Sequence, residues 1–346
     1  MSACARPGNG LCGRAAKFKP GAVFAMKILF IKTSSMGDVL HHMPAVTDAQ
    51  RQFPQAHISW VVEEAFAGLA QMHPGVNEAI PVAVRRWRKR LYAPATWREI
   101  GAFHRKLRER RYDAVVDTQG LCKTGAIAWL AEGRRHGYDA ASVRERFAAR
   151  FYDVHHAVPR ELHAIERNRL LTGFALGFAP EGAPDYGLPH PRKAAAGGKK
   201  RAVFLHATAR REKEWPEARW IEAGKSVASR GFEILLPWGN AAERTRSERL
   251  AAAIPGAVVP ELMPLSALGE LMAGAEFVLG VDTGLLHLAA ALQVPLVAVL
   301  AHPKSLPTIP VGRGHIEIVG SGHEVVDGGS VLAAIDRILM GRPSAA

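Results

Sequence analysis

The chain repeats one pattern along most of its length: a short apolar run, a small polar loop, then a stretch with apolar side chains at helical spacing. Short apolar runs bounded by turn residues predict buried strands, and their alternation with helices predicts parallel βαβ units. The clearest unit is FVLGVDTGLLHLAAAL: Phe277–Val281 predicts a strand, Asp282-Thr283-Gly284 a tight turn, and Leu285–Leu292 a helix packed back on the sheet. In the first half, strands are expected at 27–32, 57–62, 80–82, 113–117 and near 134–138. Helices are expected from Asp38 to about Gln52, from the loop 118–125 to Leu130, and over Glu161–Phe178 with Ile165, Leu170, Leu171 and Phe174 on its apolar face. A Pro-, Gly- and Ala-rich stretch at 181–200 then interrupts the pattern, as a domain linker does. The order restarts beyond it, with strands at 202–205, 233–236, near Val258, 277–281, 296–300 and 316–319, separated by helices at 216–230, 241–253 and 266–273.

This restart predicts an α/β fold of two doubly wound, Rossmann-like domains facing each other across a cleft, residues 26–180 and 201–325. A closing helix within 326–346, spanning 329–339, is free to return to the first domain. Residues 1–25 carry no strand pattern and are read as a disordered tail; their G-x-G-x-x-G match at Gly8–Gly13 has neither a strand before it nor a helix after it.

Composition narrows the function. With 346 residues, 48% of them hydrophobic, the chain has material for two cores. Its formal charge of +13 points to acidic partners: nucleic acid, an anionic membrane surface or phosphorylated substrates. The charge is concentrated, because Arg85–Arg111 holds eleven Lys or Arg against Glu99 and Glu109. Trp87, Tyr92 and Trp97 are interleaved there, so the segment reads either as a solvated helix face or as a functional anion-binding patch. Cys4, Cys12 and Cys122 form no disulfide framework, and a reducing compartment is expected. No apolar run is long enough to span a bilayer.

Candidate chemistry gathers in the loops that follow strands. Open α/β sheets bind ligands beyond the C-terminal ends of their strands, and a helix starting there offers free N–H groups to an anion. Thr283 and Gly284 supply such groups, with Asp282 before them and His287 a turn further on. The loop 206–213 adds the Thr208 hydroxyl and the Lys213 cation. The loop 237–243 adds Glu243, which suits ribose hydroxyls or simply a helix start. Together they describe a nucleoside diphosphate site in the second domain. Across from it, the loop 33–37 ends at Asp38, which reads alone as a helix N-cap and within this constellation as a general base. An inverting sugar transfer uses this arrangement: a carboxylate deprotonates the attacking hydroxyl while a cation and fixed dipoles stabilise the departing diphosphate. No D-x-D pair and no Cys/His cluster occurs in the sequence, so neither a metal nor a cofactor is expected.

These residues resemble a family. Lys32-Thr33-Ser34-Ser35-Met36-Gly37-Asp38-Val39-Leu40-His41 with Pro44-Ala45, His206-Ala207-Thr208 with Lys213 and Trp215-Pro216, Pro237-Trp238-Gly239, and Val281-Asp282-Thr283-Gly284-Leu285 with His287 closely resemble the lipopolysaccharide heptosyltransferases, in order from Met26 to near the C-terminus. The resemblance implies a GT-B fold and inverting transfer of heptose from ADP-heptose to the Kdo of Kdo2-lipid A, at the cytoplasmic face of the inner membrane and without nucleic acid as a partner. It makes Asp38 the base and Lys213 the diphosphate cation, and Thr208, Glu243, Met263, Asp282, Thr283, Gly284 and His287 donor contacts. Ala209 stands where relatives often carry a hydroxyl, so its contact is expected through the backbone. Arg85, Arg86, Arg88 and Lys123 become acceptor contacts, and the basic segment also faces the anionic membrane. The alternatives are a sibling transferase with another core acceptor, a non-catalytic polyanion-binding protein, and a nucleotide-sugar epimerase of similar architecture.

Overall fold

Each apolar run of the sequence becomes a strand of one of two parallel sheets. The computed structural model describes residues 25–189, 199–208, 211–301, 309–320 and 326–341. In the first sheet, β1 (Lys27–Ile31), β2 (His57–Glu63), β3 (Glu78–Val82), β4 (Arg111–Asp117), β5 (Glu132–Tyr138) and β6 (Val154–His156) lie in the order β3-β2-β1-β4-β5-β6. In the second, β7 (Arg201–Leu205), β8 (Glu233–Leu235), β9 (Ala257–Val258), β10 (Phe277–Val281), β11 (Leu296–Val299) and β12 (Ile316–Val319) lie in the order β12-β11-β10-β7-β8-β9. Both orders reverse direction once, between β1 and β4 and between β7 and β10. Those reversals are the switch points at which doubly wound sheets open a crevice for ligands.

The helices are α1 (Met36–Leu40), α2 (Met43–Gln52), α3 (Ala67–Gln71), α4 (Val84–Trp87), α5 (Pro94–Leu107), α6 (Cys122–Leu130) and α7 (Ala164–Leu176) in the first half. The second half has α8 (Glu217–Ala228), α9 (Ala241–Ala253), α10 (Leu265–Ala273), α11 (Gly284–Ala291) and α12 (Gly328–Leu339). Helices α5 and α6 cover one face of the first sheet through Phe103, Leu107, Ile127 and Ala128. Helices α8, α9 and α12 cover the outer face of the second through Trp220, Leu250 and Ile335. The remaining faces meet in one core that crosses the domain boundary, joining Val39, Val46 and Leu171 to Leu205, Met272, Leu286 and Leu288.

Three expectations are corrected. The single helix from Asp38 to Gln52 is two, α1 and α2, because Pro44 lacks an N–H and its ring obstructs the carbonyl four residues earlier. The last helix does not return to the first domain: α12 packs on β11, β12 and α8. On α7, Ile165 and Leu171 are buried but Phe174 is 48% exposed. That helix is rolled by its polar residues. Arg169 turns inward to pair with Asp48 at 2.6 Å and to reach the carbonyls of Glu181 and Gly182, and Asn168 donates to the His41 carbonyl. A buried charge without its partner is far costlier than one exposed aromatic ring, so the roll favours the ion pair. The strand β6 and helices α3 and α4 had no sequence expectation.

Candidate active site

The loops at the two switch points face each other where α1 and α11 meet. One glycine allows that approach: a Cβ on Gly284 would lie 2.7 Å from the Met36 sulfur and 2.8 Å from its Cβ, whereas one on Gly37 would make an ordinary 3.4 Å contact with the His287 ring. Asp38 sits half-buried in the first turn of α1, where its Oδ2 accepts from the Ser35 amide at 2.8 Å and the Ser35 hydroxyl at 3.4 Å. Its Oδ1 makes no hydrogen bond to the described residues. The N-cap reading is corrected: Ser35 is the N-cap of α1 and Asp38 its third residue, bonding back to the Ser35 amide through Oδ2, so that Oδ1 is left to take a proton.

The loop that presents Asp38 is braced from below. Gln119, 4% exposed, accepts through Oε1 from the amides of Thr33 at 3.0 Å and Ser34 at 3.3 Å. Buried Lys32 donates to the Thr118 carbonyl at 2.9 Å and to Asn168 at 3.3 Å. Burial pushes its amine below the ordinary value, with Asp38 and Asp117 acting against that shift. Asp117, raised by burial, accepts from the Gln119 and Gly120 amides and from the Tyr152 hydroxyl. None of Lys32, Asp117, Gln119 or Asn168 was assigned a site role from sequence: Lys32, Gln119 and Asn168 act on segments remote in the chain, and Asp117 holds the loop of Gln119 and reaches Tyr152 35 residues on.

In the second domain, Lys213 Nζ lies 2.5 Å from Asp282 Oδ2, and the Thr208 hydroxyl donates to the Asp282 carbonyl at 3.0 Å. Thr283 is the N-cap of α11, and no side chain caps that helix. Its leading amides are thus left without a side-chain cap beside Lys213, which Asp282 holds at the helix start. Ala209 lies outside the described residues. Glu243 is engaged by its own loop, accepting from the Gly239 amide at 2.7 Å and from Asn240 Nδ2 at 2.7 Å. A carboxylate has further lone pairs, so ribose hydroxyls would share these oxygens rather than find them empty. Met263 is half-buried and packs against the central core ahead of α10.

His287 is 4% exposed and hydrogen-bonds across the domain boundary, its Nδ1 lying 3.3 Å from His41 Nε2. Burial holds its imidazole down at about 4, with Asp38, Asp282, His163 and Lys213 all acting on it. The ring is therefore neutral near pH 7 and offers hydrogen bonds rather than charge.

The basic residues separate into two kinds. Lys123, on the second residue of α6, reaches Ser34 Oγ at 3.4 Å and so stands beside the Asp38 loop. Arg85, Arg86 and Arg88 follow β3, two strands from β1, at the rim. There Glu63, Glu64, Arg85, Arg86, Lys89 and Arg90 line a groove of about 310 Å³. Arg86 bridges Glu64 and Glu99, whereas Arg88 is exposed. Further along, Lys106 pairs with Glu78 and Glu109, Arg108 with Glu132, and Arg110 with Glu78. The excess charge read from the sequence is thus partly neutralised by acidic residues outside the segment. Among the described residues no group of three His, Cys, Asp or Glu is arranged to hold a metal. Also among them, no helix is long and apolar enough to cross a membrane.

Comparison with known proteins bears on the fold and the family. The lipopolysaccharide heptosyltransferase 1 of Salmonella typhimurium is 44% identical over 276 residues, covering 78% of this chain and 86% of that protein. The solved structure of the E. coli heptosyltransferase WaaC with ADP superposes with a TM-score of 0.84 at 39% identity, covering 90% of this chain and 100% of that one. The structure of that enzyme with ADP-2-deoxy-2-fluoro heptose gives 0.81, again at 39% identity, with coverage of 90% and 99%. The two facing parallel-sheet domains are those of the GT-B heptosyltransferases. The sequence model of glycosyltransferase family 9 (heptosyltransferase) matches residues 100–324, and the chain, a glycosyltransferase, belongs to that family.

Proposed function

We propose that this enzyme transfers L-glycero-D-manno-heptose from ADP-heptose to the Kdo residue of Kdo2-lipid A, inverting the anomeric carbon, as a step of lipopolysaccharide inner-core assembly at the cytoplasmic face of the inner membrane. The observation that carries the reading is the meeting of a half-free carboxylate, Asp38, with an uncapped helix start and Lys213 at one seam. The Salmonella relative's name supplies the reaction class, and the E. coli structure with ADP-2-deoxy-2-fluoro heptose supplies the donor class.

In this reading the diphosphate lies on the Thr283 and Gly284 amides with Lys213 beside it. Thr208 holds the Asp282 backbone, and Asp282 aims the lysine. Asp38 Oδ1 takes the proton of the acceptor hydroxyl as its oxygen bonds to the heptose anomeric carbon from the face opposite the phosphate. The bond from that carbon to the β-phosphate oxygen breaks, and its electron pair leaves on ADP. The cation and helix amides stabilise the growing negative charge. His287 contributes a neutral hydrogen bond, and Glu243 and Met263 border the nucleoside. Lys123 and the rim arginines Arg85, Arg86 and Arg88 receive the acceptor's carboxylates and phosphates.

Incubating the protein with ADP-heptose, with and without Kdo2-lipid A, tests the reading. ADP release that requires the acceptor, with the opposite anomeric configuration in the product, is expected. Acceptor-independent release overturns it, and transfer only to an already heptosylated core identifies a sibling specificity.

A further inference from the structure

All five exposed large aromatic side chains among the described residues, Tyr92, Trp97, Trp129, Phe147 and Phe174, belong to the first domain. Two of them stand together where the connection after α4 enters α5, Tyr92 on the connection beside Leu91 and Trp97 in the first turn of α5. Leu91 is 50%, Trp97 60% and Tyr92 85% exposed. This is no floppy tip, for Trp97 Nε1 donates to the Leu91 carbonyl at 2.8 Å and the Thr96 hydroxyl to the Arg90 carbonyl at 2.8 Å. Around it stand Lys89, Arg90 and Arg98, none of which forms an ion pair among the described residues, in contrast to the paired cations further along α5. The tip follows β3, so it lies at the C-terminal edge of the first sheet, the edge onto which the cleft opens.

We propose that this tip is a membrane-docking element: Leu91, Tyr92 and Trp97 enter the interfacial layer of an anionic bilayer while Lys89, Arg90 and Arg98 meet its headgroups. The proposal rests on the reading that the acceptor is lipid-borne, and it assigns the contact to side chains outside the catalytic and acceptor sets. Amphipathic rings favour the headgroup level, where an apolar body and a polar edge are both satisfied. Lysine and arginine stems lie along apolar surface while their charges reach phosphates. Each such cation near an anionic surface strengthens partitioning about fivefold. Charge complementarity selects this occupant over a second protein, because Lys89, Arg90 and Arg98 form no ion pair among the described residues while Glu64 and Glu99 nearby are engaged by Arg86.

The test is cosedimentation of the full chain with vesicles of phosphatidylethanolamine and phosphatidylglycerol, and with vesicles of phosphatidylcholine alone. Expected is binding to the anionic vesicles at least tenfold stronger than to the neutral ones. The variant L91S/Y92S/W97S should lose at least tenfold of it and R98Q severalfold, with rates on an acyl-free, water-soluble acceptor unchanged. Since Trp97 braces the tip, Y92S alone is the second variant; it should weaken binding severalfold at unchanged Tm. Wild-type binding by the serine variants, or no vesicle binding by the parent chain, overturns the proposal. Retention of RNA in place of vesicles, unaffected by the serine substitutions, also overturns it. Vesicle binding without any transfer to lipid-borne acceptor would keep the docking element and overturn the proposed substrate instead.

Discussion

The two sheets share one strand order, yet their switch points carry opposite charge and are braced differently. At the first, the loop after β1 presents Asp38 and is held by fully buried polar groups, Lys32, Asp117, Gln119 and Asn168. At the second, the loops after β7 and β10 present helix amides and Lys213, held by one ion pair and one hydroxyl whose residues stay partly accessible. The same backbone geometry thus makes a rigidly braced acidic loop at one switch point and, at the other, a more accessible helix start with an ion-paired lysine. The difference teaches that the scaffold sets where chemistry happens, while loop side chains set its sign and rigidity. A base must be positioned to fractions of an ångström, whereas a diphosphate cradle must open to admit its ligand.

That contrast can be broken experimentally. The largest effect is expected from Asp38→Asn, which removes the proposed base but keeps the bonds from Ser35. Turnover should fall about 10²–10⁴-fold with ADP-heptose affinity nearly unchanged. A drop in Tm with little loss of rate would instead make the carboxylate only a cap. Next, Lys213→Ala should weaken donor Kd and turnover together by about ten- to a hundredfold, the worth of a hydrogen bond to a charged group. Titration calorimetry with ADP reads this directly, and an unaltered Kd would remove the second switch point from the diphosphate.

A smaller, purely positional effect is expected of Gln119→Leu, which leaves two buried amides unsatisfied. Stability should fall by about 1–3 kcal/mol in urea melts, and kcat should drop while donor Kd holds. An equal loss of donor affinity would show that the two loops are not braced independently. The smallest effects are those of pH. His42 and His206 flank the two switch points, and burial holds His206 at about 4 and His42 well below its ordinary value. Unfolded, each imidazole titrates near pH 6.5, so below that pH the unfolded chain binds more protons and stability falls as pH drops towards 4. Between pH 6.5 and 5 each contributes at most about 2 kcal/mol of this loss. His42→Asn and His206→Asn should each flatten the dependence of Tm on pH; parallel curves for variants and parent would contradict it.

Much of the fold is legible locally. Strands such as Phe277–Val281 are apolar runs cut off by Asp-Thr-Gly, and α9 starts where Asn240 can accept from the Glu243 amide. The candidate loops are legible for the same reason, since small polar residues between a strand and a helix mark the ligand edge. His41 was quoted within a motif without a role, because its partner His287 is 246 residues away. Phe174 was placed inward because its spacing is apolar, and the inward pull of Arg169 depends on Asp48, 121 residues off. The charge of Arg85–Arg111 is legible in the sequence but its partial compensation is not, since Glu64, Glu78 and Glu132 lie outside the segment.

The amino-acid order alone determined two domains of alternating strands and helices, the break between them, and the loops at their ligand edges. Hydrophobic period and turn chemistry act over a few residues, so they need no knowledge of the rest of the chain. Only the tertiary structure decided that α12 stays with its own sheet, that Asp282 holds Lys213, and that a neutral imidazole pair closes the seam between α1 and α11. Those outcomes depend on which distant groups share a desolvated space, where an unpaired charge or amide costs more than any local preference can return.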